Sequence, residues 1–169
     1  ASSRVYCLSA LAVSRDESTL YAVNPALGFI HCGSLRTGSV DRSKKVNVTR
    51  CDYGVLATTV RTFFPVAEAK RYIRGGAALT ADGRTLLAAG TMGIAVIDTA
   101  TLASRATWAT DSTFDSFALS PDGARLYGIS DQLGKIRVLR VTDGALLGAL
   151  KPAAYPTAVV RIHPAAAPN

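Results

Sequence analysis

The sequence predicts an all-β fold built from repeated four-stranded antiparallel units. The clearest unit is Phe117–Leu150, where four short apolar runs are separated by Pro-Asp-Gly, Asp-Gln-Leu-Gly and Thr-Asp-Gly turns. Short apolar runs joined by tight turns of this composition are typical of strands in consecutive hairpins. The 169 residues are enough for one domain with a substantial core.

An internal repeat extends this pattern toward the N-terminus. Ser9–Val23 and Gly76–Ala89 each contain an apolar run, a Ser or Thr, a polar turn with an Asp, and a second apolar run. Asp82 and Asp122 are about 40 residues apart, the length of one propeller blade, whereas Asp16 lies roughly 66 residues before Asp82. The repeat therefore predicts a β-propeller or partial β-propeller built from four-stranded antiparallel blades of about 40 residues.

The repeat also predicts how the domain is divided. A single propeller-type domain over 1–169 would contain blade-like units at about 8–48, 76–115 and 116–150, a basic insertion at about 41–75, and the first strand of a further blade at 157–162. A closed propeller has about four to eight blades. The missing blades could belong to a longer propeller or another chain, to further copies of this chain, or to a degenerate blade within Val46–Ile73.

Individual residues support the strands and turns. Asp-Gly pairs at 82–83, 122–123 and 143–144 supply the positive φ that tight hairpins require. Third strands are predicted at Ile94–Thr99 and Ile136–Val141, and the alternation in the second places Arg137 and Arg140 toward solvent. Trp108 is expected in the core, on a fourth strand.

Two of these segments resemble a known family. Ser-Pro-Asp-Gly-Ala-Arg-Leu-Tyr at 120–127 and Ala-Val-Ile-Asp-Thr-Ala-Thr-Leu at 95–102 are similar to the bacterial YVTN and WD40-like β-propeller repeats. The resemblance covers two units well and the N-terminal unit loosely, about two thirds of the chain. It implies a propeller fold but little about function, because propellers serve both as scaffolds and as enzymes. It favours a periplasmic or secreted location over the cytoplasm, which the sequence itself leaves open.

Positive charge is concentrated in one stretch. The net charge is +7, and Arg36–Arg74 contains nine basic and three acidic residues with aromatic residues between them. Arg and aromatic side chains are common anchors in protein interfaces. The residues predicted to bind a partner are Arg42, Lys44, Lys45, Arg50, Tyr53, Lys70, Arg71, Tyr72 and Arg74.

The sequence predicts no catalytic residue, metal site or cofactor. No G-x-S-x-G, H-E-x-x-H, P-loop or G-x-G-x-x-G motif occurs. His31 and Cys32 are neighbours on a predicted strand, so they point to opposite faces, and a buried thiol beside a surface imidazole is expected. Cys7, Cys32 and Cys51 have no C-x-x-C spacing and leave the redox compartment open. No apolar run approaches the roughly 18–20 residues of a membrane span.

The predicted function is a non-enzymatic protein-interaction scaffold or a subunit of a larger assembly, docking through blade faces and the basic insertion. The alternative is a fragment or subunit of a propeller enzyme, of the lactonase or quinoprotein-dehydrogenase type, whose active site lies elsewhere. Nucleic-acid binding through the basic loop is a more distant alternative, because the propeller units carry no nucleic-acid motif. The expected partners are other subunits or further blades, and a homo-oligomer is one way to provide them.

Overall fold

The computed structural model describes residues 10–24, 29–45, 76–90, 93–130 and 134–152, and the regular structure in these ranges is β-strand. Sheet I contains β1 (Ala10–Val13), β2 (Thr19–Asn24), β3 (Phe29–Ser34) and β4 (Val40–Lys45). Sheet II contains β5 (Ala77–Leu79), β6 (Thr85–Gly90), β7 (Gly93–Asp98) and β8 (Ser104–Trp108). Sheet III contains β9 (Ser116–Leu119), β10 (Arg125–Ser130), β11 (Lys135–Arg140) and β12 (Leu146–Leu150).

Each sheet is an antiparallel meander whose strands follow one another in chain order. The first strands of the sheets are neighbours, because β1 lies beside β5 and β5 beside β9. One apolar cluster fills the space between sheets I and II, and a second fills the space between sheets II and III. Four-stranded sheets that pack face to face around their first strands are the blades of a β-propeller. The predicted fold class is confirmed.

The middle sheet is buried on both faces. Successive residues of β6 point to opposite sides: Leu86 packs in the cluster with sheet I, and Leu87 packs in the cluster with sheet III. Every residue of β7 is buried. A strand covered on both faces reads as a continuous apolar run, and Gly93–Asp98 therefore lacks the polar alternation of a half-exposed strand.

The inner turn, which joins the first two strands of each sheet, is built in the same way three times. An Asp in the turn accepts a hydrogen bond from a hydroxyl two residues earlier and from a main-chain N–H two residues later. The three hydroxyl–Asp pairs are Ser14–Asp16, Thr80–Asp82 and Ser120–Asp122. The residue after the Asp has positive φ: 56° at Glu17, 69° at Gly83 and 71° at Gly123.

The outer turn, which joins the third and fourth strands, also repeats. Each contains one residue with positive φ: Gly38 at 67°, Leu102 at 53° and Gly144 at 73°. The strand register shifts shortly before each outer turn, between Cys32 and Gly33, Val96 and Ile97, and Val138 and Leu139. One main-chain hydrogen bond joins the outer turn to the inner turn in every sheet, at 2.9, 3.1 and 3.0 Å. The three sheets are thus three copies of one structural repeat.

One sequence-based expectation on β11 is wrong. The Arg137 side chain is 11% exposed and donates to Asp111 at 2.8 Å and to Ser112. It lies on the face of β11 that points toward sheet II, where the connection between β8 and β9 supplies these acceptors. Arg140 is 49% exposed and pairs with Asp143, as expected of a surface residue. Trp108 lies on the fourth strand of sheet II and packs, partly buried, against the cluster between sheets II and III.

Several predictions fall outside the described residues. They concern the part of the insertion at 46–75, the strand predicted at 157–162, and Cys7 and Cys51. Residues 41–45 of the predicted insertion belong to β4. Within the described ranges, the chain has no helix of the length and apolar character that crossing a membrane requires.

Candidate interaction surfaces

Sheet I has an open face on the side away from sheet II. Ala10 and Ala12 of β1 are buried in the cluster with sheet II, whereas the alternate residues Leu11 and Val13 are 59% and 46% exposed. Leu11 pairs with Ala22 of β2, and Val13 pairs with Leu20, so these side chains share one face. Ala22 and Leu20 are only half-buried. This apolar surface is called the open face of sheet I.

Sheet III also has an open face, on its side away from sheet II. Leu126 and Leu139 face sheet II and are fully buried. The alternate residues Tyr127 and Val138 are paired with each other and are half-buried, and Leu150 of β12 is 54% exposed. The surface that these three residues share with Ala118 and Ile136 is called the open face of sheet III, and Ile129 at its margin is 2% exposed.

Residues at the same repeat position differ in burial between the three sheets. The third strands contain three isoleucines at one repeat position: Ile30, Ile94 and Ile136. Ile30 and Ile94 are followed by another sheet and are 0% exposed, whereas Ile136 is only half-buried. Around Ile136 and Leu150, the open face of sheet III therefore has the composition of a blade interface but is more exposed than the equivalent faces of sheets I and II.

The large apolar side chains that are exposed in the described ranges all belong to the two end sheets. They are Leu11, Val13, Leu35, Val40, Leu146, Leu147 and Leu150. Sheet II contributes none of them. Of these, Leu11 and Val13 share the open face of sheet I, and Leu150 lies on the open face of sheet III. Exposed apolar side chains grouped on one face mark binding sites in soluble proteins.

The outer strand β12 differs from its two counterparts. β4 has the sequence Val-Asp-Arg-Ser-Lys-Lys and β8 contains Arg105, whereas Leu146–Leu150 reads Leu-Leu-Gly-Ala-Leu. Outer strands have an unpaired edge, and charged side chains normally prevent unwanted pairing there. β12 lacks such charges, and this absence was the sequence signal that could have identified the surface.

The structure places part of the predicted cationic site between two sheets. Arg42 donates to the carbonyl oxygens of Thr99, at 3.3 Å, and of Ala100, and Lys44 donates to the carbonyl oxygen of Thr101 at 3.2 Å. These acceptors form the outer turn of sheet II. Arg42 and Lys44 thus connect β4 of sheet I to its neighbour, and Lys45 is exposed beside them. The other residues predicted to bind a partner, Arg50, Tyr53, Lys70, Arg71, Tyr72 and Arg74, lie outside the described residues.

The same contact between an outer strand and the next outer turn occurs once more. Lys44 pairs with Ile30 on the neighbouring strand, and Trp108 occupies the equivalent position opposite Ile94. The Trp108 ring packs so closely on Gly144, in the outer turn of sheet III, that a Cβ there has no room. Leu150 is the third equivalent, opposite Ile136, and its side chain is exposed.

The His, Cys and Tyr side chains of sheet I lie in the core or on the strand surface. No group of three or more His, Cys, Asp or Glu side chains in the described ranges could hold a metal ion. Cys32 is 3% exposed, whereas His31 is half-buried, stacks on Phe29 and contacts Ser43 Oγ at 2.7 Å through Nδ1. This matches the expected buried thiol beside a surface imidazole. Burial raises the pKa of Tyr21, whose ring lies in the cluster between sheets I and II.

The aspartates that titrate abnormally hold turns or bind arginine. Hydrogen bonds from the Ser14 and Ser18 side chains lower the pKa of Asp16 from 3.8 to about 2. The corresponding bonds from Thr80 and Ser120 lower the pKa of Asp82 and Asp122. Because hydrogen bonds stabilise the charged form of these groups, they remain ionised over the ordinary pH range. A general acid near neutral pH needs the opposite shift.

Comparisons with known proteins agree on the fold. No protein-family model and no curated protein sequence matches this chain. Hydrazine synthase from Kuenenia stuttgartiensis has a similar structure, with a TM-score of 0.60 and 20% identity over 83% of this chain and 36% of that chain. The WD40 repeats of RRP9 superpose with a TM-score of 0.61 and 15% identity over 88% of this chain and 40% of that chain.

A third similar structure is the dihydro-heme d1 dehydrogenase NirN, with a TM-score of 0.60 and 19% identity over 87% of this chain and 28% of that chain. The described sheets therefore have a β-propeller fold. The chain spans less than half the length of each of these three proteins. They include enzymes and a WD40 repeat domain, so the fold by itself does not separate an enzyme from a scaffold.

Proposed function

We propose that this chain is a non-enzymatic protein-interaction module, a section of a β-propeller that joins a larger assembly through the open faces of sheets I and III. The observation that carries the proposal is the difference in burial between equivalent residues. Ile30 and Ile94 are 0% exposed, whereas Ile136 is half-buried and the neighbouring Leu150 is 54% exposed. Apolar surface of this composition gains free energy when protein covers it.

The cationic stretch Arg36–Arg74 is the second part of the proposed docking surface. Arg42 and Lys44 already donate to sheet II, so Lys45 and the basic residues that follow it are the groups available to a partner in this proposal. Cationic groups at the rim of an apolar interface steer acidic partners and add specificity. Their contribution should fall with increasing salt.

The test of the open faces is site-specific photo-cross-linking in the cells that produce the protein. A photoreactive amino acid at position 11 or 150 should give discrete adducts with protein. The same amino acid at Ala81, an exposed residue in the inner turn of the middle sheet, is the control. Absence of adducts at both face positions, or equal adducts at position 81, would contradict the proposal.

The test of the cationic stretch is charge reversal. Lys45→Glu combined with Arg71→Glu and Arg74→Glu should reduce the yield of adducts formed at position 11 or 150. Unchanged adducts would limit docking to the blade faces. A nucleic-acid-binding role would instead give direct retardation of single-stranded or duplex nucleic acid that weakens steeply with salt.

A further inference from the structure

The open faces of sheets I and III are the two halves of one kind of junction. In the repeat, the face that a sheet turns to the next sheet has small residues on or next to its first strand: Ala10 and Ala12 in sheet I, and Ala78 and the preceding Gly76 in sheet II. The face turned to the preceding sheet has Leu79 in sheet II and Phe117 and Leu119 in sheet III, although Ala77 of β5 on that face is also small. A Cβ at Gly76 would collide with the Phe117 ring, so the small residue is required where the large one packs.

The two open faces continue this rule. The first strand of sheet III turns Ser116 and Ala118 toward its open face, opposite in direction to Phe117 and Leu119. The first strand of sheet I turns Leu11 and Val13 outward. The open face of sheet III is therefore small at its inner strand, and the open face of sheet I is large there. The two complement each other, whereas two identical faces would not.

The outer parts of the two faces match in the same way. Leu150 has the repeat position of Lys44 and Trp108, which both contact the outer turn of the following sheet. The outer turn of sheet I presents Leu35, which is 46% exposed. Its equivalent in sheet III is Val141, which packs against the preceding cluster. Leu150 on the outer strand of sheet III and Leu35 in the outer turn of sheet I are thus apolar side chains at the two positions that would meet in such a contact.

We infer that a second copy of this chain docks head to tail, with its open face of sheet I on the open face of sheet III of the first copy. Two copies can make this junction twice and close a ring, because a two-fold axis exchanges the two junctions. The described sheets would supply six blades to that ring, within the range of about four to eight for propellers. The inference rests on the proposed function and names the partner of those faces.

The experiment uses the 169-residue chain in light scattering on a sizing column over a range of concentrations. The unmodified chain, of 17.7 kDa, should form a dimer of about 35 kDa. Leu11→Arg charges the open face of sheet I, and Ala118→Arg puts a large charged group where the open face of sheet III is small. Each should raise the dimer dissociation constant at least about a hundredfold. Ala81→Arg, in the exposed inner turn of sheet II, should leave it unchanged.

Mixing the two face variants tests the head-to-tail arrangement. Each variant retains one intact face, so an equimolar mixture should form a dimer with a single native junction. Circular dichroism spectra and melting temperatures of the variants establish that they remain folded. A monomeric unmodified chain, dissociation by only one of the variants, or a mixture that stays monomeric would each overturn the inference. A monomer that still forms adducts with another protein at positions 11 and 150 would leave the proposed function standing.

Discussion

At the scale of single residues, the turns of the repeat restrict which residue types fit at particular positions. Positive φ is required at one position of each inner turn and of each outer turn. Glycine fills four of these six positions, and Glu17 and Leu102 fill the other two. Leu102 is 2% exposed and packs in the cluster between sheets I and II, so its burial offsets the backbone strain. Glu17 is exposed and has no such compensation.

Replacing Glu17 with glycine should therefore stabilise the protein. The left-handed conformation at φ 56° costs a non-glycine residue roughly 1 kcal/mol, and Glu17→Gly removes that strain. Urea unfolding should show an increase of about 0.5–1 kcal/mol in the free energy of unfolding. Glu17→Ala is the control, because it removes the carboxylate and retains the strain. An equal gain in both variants would assign the effect to charge.

The turn aspartates predict how stability depends on pH. The folded-state pKa of Asp16 is about 2, below the value of 3.8 of the free group, and the pKa of Asp82 and Asp122 is also lowered. A lowered folded-state pKa adds stability above the unfolded pKa, and this stability is lost as the pH falls from about 4 to about 2. The urea concentration at the unfolding midpoint, measured between pH 6 and pH 2, should decrease as the pH is lowered from about 4 to about 2. Ser14→Ala, which removes the first donor to Asp16, should make the fall smaller, and an unchanged slope would contradict this assignment.

At the scale of strands and turns, each outer strand is attached to the next outer turn by different chemistry at an equivalent position. Between sheets I and II the contact is polar, with Arg42 and Lys44 donating to main-chain carbonyl oxygens. Between sheets II and III it is the packing of the Trp108 ring on Gly144. The same backbone position contacts the next outer turn at both junctions, but the side chain is cationic at the first junction and aromatic at the second.

The polar attachment should be measurable by substitution. Arg42→Met keeps most of the length of the side chain and removes the donors to Thr99 and Ala100, and it should lower the free energy of unfolding by about 1–2 kcal/mol. Lys45→Met, on the same strand, is the matched control and should change it by less than about 0.5 kcal/mol. Equal effects of the two substitutions would show that the carbonyl contacts contribute nothing specific.

Close packing of a strand on a ring gives a second measurable effect. A Cβ on Gly128 of β10 would collide with the Phe114 ring, which is 0% exposed. Gly128→Ala should therefore lower the free energy of unfolding by about 1–3 kcal/mol. Gly148→Ala on β12 of the same sheet is the control, because nothing lies within 4 Å of a Cβ there. A neutral Gly128→Ala would mean that Phe114 moves aside without loss.

At the scale of the whole molecule, burial is graded from the middle sheet outward. Among the described residues, sheet II takes part in both apolar clusters, and sheets I and III take part in one each. Local opening requires less free energy where fewer apolar contacts must be broken. The end sheets expose more apolar surface than the middle sheet, and this surface is what a partner would cover in the proposed function.

Hydrogen exchange should reproduce this gradation. Main-chain amides of β6 and β7 should be the most protected, and those of β1, β2, β11 and β12 should exchange faster. Mass spectrometry of peptides from the monomeric Leu11→Arg variant is the clearest measurement, because no second copy then covers the end sheets. Uniform protection across the three sheets would contradict the gradation.

The sequence determined the architecture because strand and turn signals are local. The Asp-Gly pairs at 82–83, 122–123 and 143–144 supply the positive φ of their turns, and apolar runs of about six residues predict strands between them. The repeat length of about 40 residues then indicated blades. The resemblance to YVTN repeats, the location outside the cytoplasm and the partner-binding role of the cationic residues stay predictions.

Only the tertiary structure decided which face each strand buries and what covers it. Alternation on β11 could not show that Arg137 faces the β8–β9 connection, nor could the charge on β4 show that Arg42 donates to the next outer turn. These contacts join residues that are 26 and 57 positions apart, and their partners are fixed by the packing of one sheet on another. Local pattern defines the blade, whereas the junction between blades is a property of two surfaces and is visible only when both are in place.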